Sequence, residues 1–71
     1  MTPQDAIRRM VDESGTTYAQ VSRDLSRNDR YIAVMLSAGN TPSATLLARI
    51  ANACGYELTL IGHGETLRLE G

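Results

Sequence analysis

The chain has one cysteine, Cys54, among its 71 residues, and no lysine at all. A lone thiol cannot staple the chain with a disulfide, and without Cys or His neighbours it offers no metal cage. It fits a reducing compartment. No apolar run approaches the ~20 residues of a membrane-spanning helix. The opening "MTPQDAIRRMVDE" lacks the apolar stretch of a leader peptide. These absences predict a soluble, cytoplasmic domain with no membrane contact. The missing lysine bears on function as well. Neutralising phosphates drives nucleic-acid affinity, so DNA-binding domains tend to be basic.

The charge that is present is uneven. The formal net charge is -1. Residues 1–55 hold six Arg against five acids, and residues 56–71 hold one Arg against three Glu. The tail is the acidic part. A chain this short buries only about 60% of its unfolded surface. It usually needs a staple or a partner. With disulfides and metals set aside, self-association is the expected staple.

Caps and periodicity place four helices. Thr2 is the expected N-cap of the first, with Pro3 at its first position and Asp5 where a capping box puts an acid. Ile7, Met10, Val11 and Ser14 then follow helical spacing, and Gly15 stops the run. Thr17 caps the second helix, with Gln20 able to reach back. Its inner face is Val21, Ser22 and Leu25. Asn28 is the expected cap of the third, and Asp29 sits favourably near the positive helix end. Ile32, Met35 and Leu36 form its inner stripe, and Gly39 ends it. Thr41 and Pro42 are read as cap and first position of the fourth. Leu47, Ile50, Ala51 and Cys54 make its main face, widened by Leu46 and Ala53. After Gly55 the period drops to 2. "YELTLI" and "TLRLE" flank the turn-rich "GHGE", which predicts a β-hairpin or two short strands. The expected organisation is a helical domain over 1–55 and a β element over 56–71.

The pair of helices from Tyr18 to Leu36 has the parts of a helix-turn-helix. Ser22 is small where a second helix must cross closely. Val21 and Leu25 flank it, Ser26 stands at the turn, and Ile32 and Met35 anchor the second helix. Such corners also occur in bundles that never touch DNA. Here the sequence resembles the lambda repressor and Cro family, also called XRE-type helix-turn-helix proteins. The resemblance covers about Thr2 to Gly55. It is strongest in "TYAQVSRDLSRNDRYIAVMLSAGN" and "TPSATLLARIANACG". It implies a mainly α, four-helix lambda-repressor-like domain. The chain departs from the family in two places. Ser26 stands where the family usually has Gly, implying a slightly different turn. Val11 and Leu36 stand where many members pair a buried Arg with a Glu. Both partners are apolar here, so the pair is replaced as a unit, an exchange that often costs nothing.

The resemblance implies a DNA-binding transcriptional regulator, a dimeric repressor of phage or antitoxin type acting on a near-palindromic operator. Its third helix would read bases through Asn28, Asp29, Arg30, Ala33 and Val34, with Ser37 on the same face. Arg30 is the strongest candidate, because Arg grips guanine O6 and N7 with two bonds. The competing role for Arg30 is a surface pair with Asp29 or Asp24. Asn28 competes with its own capping duty. Ala33 and Val34 could meet thymine methyls. Phosphate contacts are expected from Thr16, Thr17 and Tyr18, from Arg27 in the turn, and from Asn40, Thr41 and Ser43 in the following loop. Arg8, Arg9, Arg23 and Arg49 read more simply as solvated or paired surface charge.

"GYELTLIG" resembles the dimerising strand of HipB-like antitoxins. Tyr56, Leu58, Leu60, Ile61, Leu67 and Leu69 are therefore the expected dimer interface. A hairpin folded on its own helices is the alternative. The second functional reading is a protein-interaction module that neutralises a toxin or other partner and binds DNA weakly or not at all. His63 reads as a turn residue and Cys54 as core. No paired carboxylates, nucleophile–base set or phosphate loop is present, so neither an enzyme nor a cofactor is expected.

Overall fold

Thr2 caps the first helix as expected: its Oγ1 accepts from the Asp5 N–H at 3.1 Å. The computed structural model describes residues 1–71. Its elements are α1 (Pro3–Ser14), α2 (Tyr18–Asp24), α3 (Tyr31–Ser37), α4 (Ala44–Ala53), β1 (Leu58–Gly62) and β2 (Glu65–Leu69). Thr17 caps α2 the same way, accepting from the Gln20 N–H at 3.0 Å. Neither capping box closes. Asp5 faces Arg8 at 3.6 Å, and Gln20 bonds Asp24 at 2.9 Å instead.

Two helix starts differ from the sequence reading. Asn28 does accept the Arg30 N–H at 2.9 Å, but it caps a tight turn rather than the α-helix. Tyr31 N–H bonds the Asn28 carbonyl at 3.1 Å, three residues back, and the regular helix begins only at Tyr31. The cap of α4 is Ser43, not Thr41. Ser43 Oγ accepts from the Leu46 N–H at 3.1 Å, and Pro42 lies before the cap. The reason is Gln4. Its Nε2 donates to Thr41 Oγ1 at 3.2 Å and to the Asn40 carbonyl at 3.0 Å, holding Thr41 in the loop.

The turn between α2 and α3 is of the glycine type, although Ser26 occupies it. Ser26 has φ +60°. Ser26 N–H bonds the Arg23 carbonyl at 2.9 Å and Arg27 N–H bonds the Ser22 carbonyl at 2.9 Å. The same two-bond pattern closes α3 at Gly39, whose φ is +71°. The expected difference in the turn is therefore absent; the strain sits in the residue. A Cβ in the left-handed region costs roughly 1–2 kcal/mol. Ser26 is exposed and loses no packing when replaced. Ser26→Gly is expected to stabilise the fold by about 1 kcal/mol, after glycine's extra unfolded-state freedom is subtracted. Urea denaturation of the two proteins reads this directly. A less stable Gly variant would mean that the serine hydroxyl contributes more than the strain removes.

All four helices feed one core. Ile7, Met10 and Val11 come from α1, Val21 from α2, with Leu25 just beyond it, Ile32, Met35 and Leu36 from α3, and Ile50, Ala51 and Cys54 from the end of α4. Val11 and Leu36 lie in this same apolar cluster. Ala48 is fully buried, whereas Leu47 is only partly so. The α4 stripe is thus turned slightly from the one read off its leucines. No helix is long and apolar enough to cross a membrane.

The strands pair within the chain as an antiparallel hairpin, with Leu58 opposite Leu69 and Leu60 opposite Leu67. His63 and Gly64 form its two-residue turn with φ +49° and +77°. Positive φ at both positions is the type I′ geometry that suits strand twist. Leu58, Leu60, Leu67 and Leu69 share one face by alternation. The root leaves Leu58 and Leu69 half-buried, and the hairpin touches α4. The outer part is uncovered: Leu60 is 54% exposed and Leu67 is 50% exposed.

Candidate nucleic-acid interface

The crossing of α2 and α3 turns on Ser22, the only buried polar side chain. Its small size lets α3 approach. Its hydroxyl then joins the two helices. Ser22 Oγ donates to the Tyr18 carbonyl at 2.7 Å and accepts from the Ile32 N–H at 3.1 Å. The first N–H groups of a helix have no partner within it. Ser22 supplies one from the neighbouring helix and so sets where α3 begins relative to α2. Ile32, Met35 and Leu36 face the core. Asn28, Asp29, Arg30, Ala33, Val34 and Ser37 are left exposed on the other side.

Only Ala33 and Val34 of the five base-reading candidates lie in the regular helix. Asn28, Asp29 and Arg30 stand in the turn that leads into it. Their chemistry differs from one to the next. Asn28 Oδ1 is used by the Arg30 N–H. Asp29 pairs with Arg23 at 3.1 Å, a partner the sequence reading did not name. That pair removes one of the two acids expected to compete for Arg30; the other, Asp24, accepts from Gln20 at 2.9 Å. Arg30 forms no ion pair, and neither do Arg27 and Arg49; the other four Arg side chains do. The Arg27 guanidinium lies over the Tyr31 ring, 4.9 Å from its centroid, which limits its freedom while leaving its charge outward.

An open cleft of about 400 Å³ runs between the outer face of α3 and the loop into α4. Asn28, Arg30 and Val34 line one side, and Asn40, Thr41 and Ser43 the other. Base-reading and phosphate candidates from separate parts of the chain are thereby brought together. Gln4 holds the loop side through its bonds to Gly39, Asn40 and Thr41. Thr16, Thr17 and Tyr18 stand apart, at the start of α2. Thr17 Oγ1 is occupied by its cap bond, and Tyr18 is half-buried against the core.

Two residues of this region were not singled out from sequence. Gln4 acts across 35 or more positions, and no local pattern signals that. Tyr31 lines the cleft and holds Arg27; a basic residue four positions before an aromatic one was the available signal. No group of three or more His, Cys, Asp or Glu side chains is placed to hold a metal ion. Burial pushes the Cys54 thiol above its ordinary pKa; a hydrogen bond with Ser14 opposes this and the Asp24 charge adds to it. A thiol held protonated is a poor nucleophile.

No family model, curated protein or solved structure significantly matches the chain. The geometry of these helices is therefore the ground for a functional reading.

Proposed function

We propose that this chain is a sequence-specific DNA-binding transcriptional regulator of the lambda repressor and Cro type, working as a homodimer. The observation that carries the reading is Arg30. It is exposed, has no ion-pair partner, and is set at the lip of an open cleft beside the exposed face of a helix anchored by Ser22. An α-helix entering the major groove presents its N-terminal residues to base edges. The loop from Asn40 to Ser43 would meet the flanking phosphates. Two such faces in a dimer need a separation of about 34–36 Å, one turn of DNA.

The near-neutral charge sets the style of binding. With few cations, affinity depends on hydrogen bonds and shape, and its salt dependence is shallow. Arg30→Ala is expected to cost about 1–3 kcal/mol on the operator and to relax one base preference per half-site. Arg27→Ala is expected to weaken all sequences alike and to lower the salt slope by about one unit per half-site. The measurement is a titration of wild type and both variants on operator selected from a random pool and on unrelated duplex, at several salt concentrations. Wild type that shows no salt-dependent DNA binding would end this reading.

The second reading is a protein-interaction module, neutralising a toxin or another partner. The exposed Leu60, Ile61 and Leu67 favour it, because they offer apolar surface without using the Arg30 face. It predicts partner binding that is indifferent to Arg30→Ala.

A further inference from the structure

Gln4 stands in the first turn of α1, and its side-chain amide meets the loop after α3 at three atoms. Nε2 donates to the Asn40 carbonyl at 3.0 Å, to Thr41 Oγ1 at 3.2 Å and to the Gly39 carbonyl at 3.3 Å. An amide nitrogen carries two hydrogens, so the three acceptors share them. Two of the three are carbonyls, which only accept. They fix which end of the amide faces the loop. Gln4 is not part of the cleft wall, whereas Asn40, Thr41 and Ser43 are. It works from behind the loop. A hydroxyl can offer a ligand either its hydrogen or a lone pair. Thr41 Oγ1 takes a hydrogen from Gln4, which leaves its own hydrogen to point elsewhere. Ser43 is held the same way: its Oγ accepts from the Leu46 N–H at 3.1 Å. Both hydroxyls are exposed and set to donate.

We propose that Gln4 is a positioning residue for phosphate contact: by taking up lone pairs of Gly39, Asn40 and Thr41, it makes the loop side of the cleft a donor surface and turns the Thr41 hydroxyl towards a DNA phosphate. This rests on the DNA-binding reading and deepens it, because the role falls to a residue outside the cleft. The chemistry is one of sign. A phosphate oxygen accepts hydrogen bonds and repels carbonyl oxygens, so its site needs donors forward and acceptors tied back. One amide does both here. The two sides of the cleft then have different tasks. Arg30 discriminates between bases, and the loop held by Gln4 adds affinity without regard to sequence.

The test is a double-mutant cycle read in DNA affinity, on selected operator and on unrelated duplex, with circular dichroism confirming that each full-length variant is folded. Gln4→Met keeps the side chain's length and removes its donors. Thr41→Val keeps the shape and removes the hydroxyl. Each is expected to weaken binding about tenfold per half-site on both duplexes, leaving the preference for operator unchanged. The double variant is expected to bind no worse than either single one, since both remove the same contact. Thr41→Ser, which keeps the hydroxyl, is expected to bind like wild type. Gln4→Glu replaces the donors with acceptors, turning the Thr41 hydroxyl inward and repelling both carbonyls. It is expected to bind more weakly than Gln4→Met, even at salt that screens its charge. A merely structural role for Gln4 would not make its effect vanish in the Thr41→Val background. Wild type without salt-dependent DNA binding would remove the DNA reading and this role together. Wild type that binds DNA, with Gln4→Met equal to it, with losses at Gln4 and Thr41 that multiply, or with Gln4→Glu no weaker than Gln4→Met, would overturn the role of Gln4 alone.

Discussion

Ser22→Val is expected to lose about 2–6 kcal/mol of folding stability, from two independent causes. The first is the hydroxyl. Its removal leaves the Ile32 N–H buried without an acceptor, at a cost of about 1–3 kcal/mol. The second is bulk. Ser22 has no exposed surface, and α3 crosses directly above it. Added methyl groups must displace a helix or take a poor rotamer, for another 1–3 kcal/mol or so. A chain of this length holds roughly 4–11 kcal/mol in total. The substitution therefore takes a large share of it. Ser22→Ala isolates the hydrogen bond and Ser22→Thr isolates the bulk. Chemical denaturation of all three checks the division. If the Ala variant matches wild type, the hydroxyl bridge between α2 and α3 contributes nothing.

Leu36→Ala is expected to cost about 2–5 kcal/mol, from lost burial and the cavity left behind. Leu36 is 7% exposed and closes α3 against the core; Val11 is 5% exposed in the same cluster. Val11→Ala should cost less, about 1–3 kcal/mol, since fewer atoms are removed. The two costs are expected to be non-additive. Neighbours that share one cavity couple by about 0.5–3 kcal/mol. A double-mutant cycle reads the coupling. Strictly additive losses would place the side chains apart, and the alignment of Val11 and Leu36 with an exchanged ion pair would fail with them.

Features governed by near neighbours were readable without coordinates. Thr2 and Thr17 announce helices because the group they cap lies three residues on. The hairpin turn was readable from "GHGE", since a two-residue turn needs positive φ, which glycine takes freely. The core stripes of α1 and α3 followed from periodicity. What the sequence hid is the work of distant partners. "TPSA" contains two possible caps, and only Gln4, far away in α1, takes Thr41 out of contention. The start of α3 depends on Ser22, ten residues earlier. Arg30 is left without an acid because Arg23 reaches across the turn to Asp29 and Gln20 holds Asp24. Residue type alone argued against a positive φ at Ser26, yet the two backbone bonds of the turn impose it. The cleft itself joins segments that only the folded chain brings face to face.

Every buried residue lies between Ile7 and Cys54, and none lies in the hairpin. This separates two kinds of inheritance. Substitutions at the exposed Leu60 and Leu67 of the hairpin leave untouched the packing of the helices that carry Arg30. After a gene duplication, two daughters can diverge at Leu60 and Leu67 while keeping the same helical core. The exposed face of α3 can drift on its own schedule. A chain built this way can vary its two exposed faces, on α3 and on the hairpin, independently of each other.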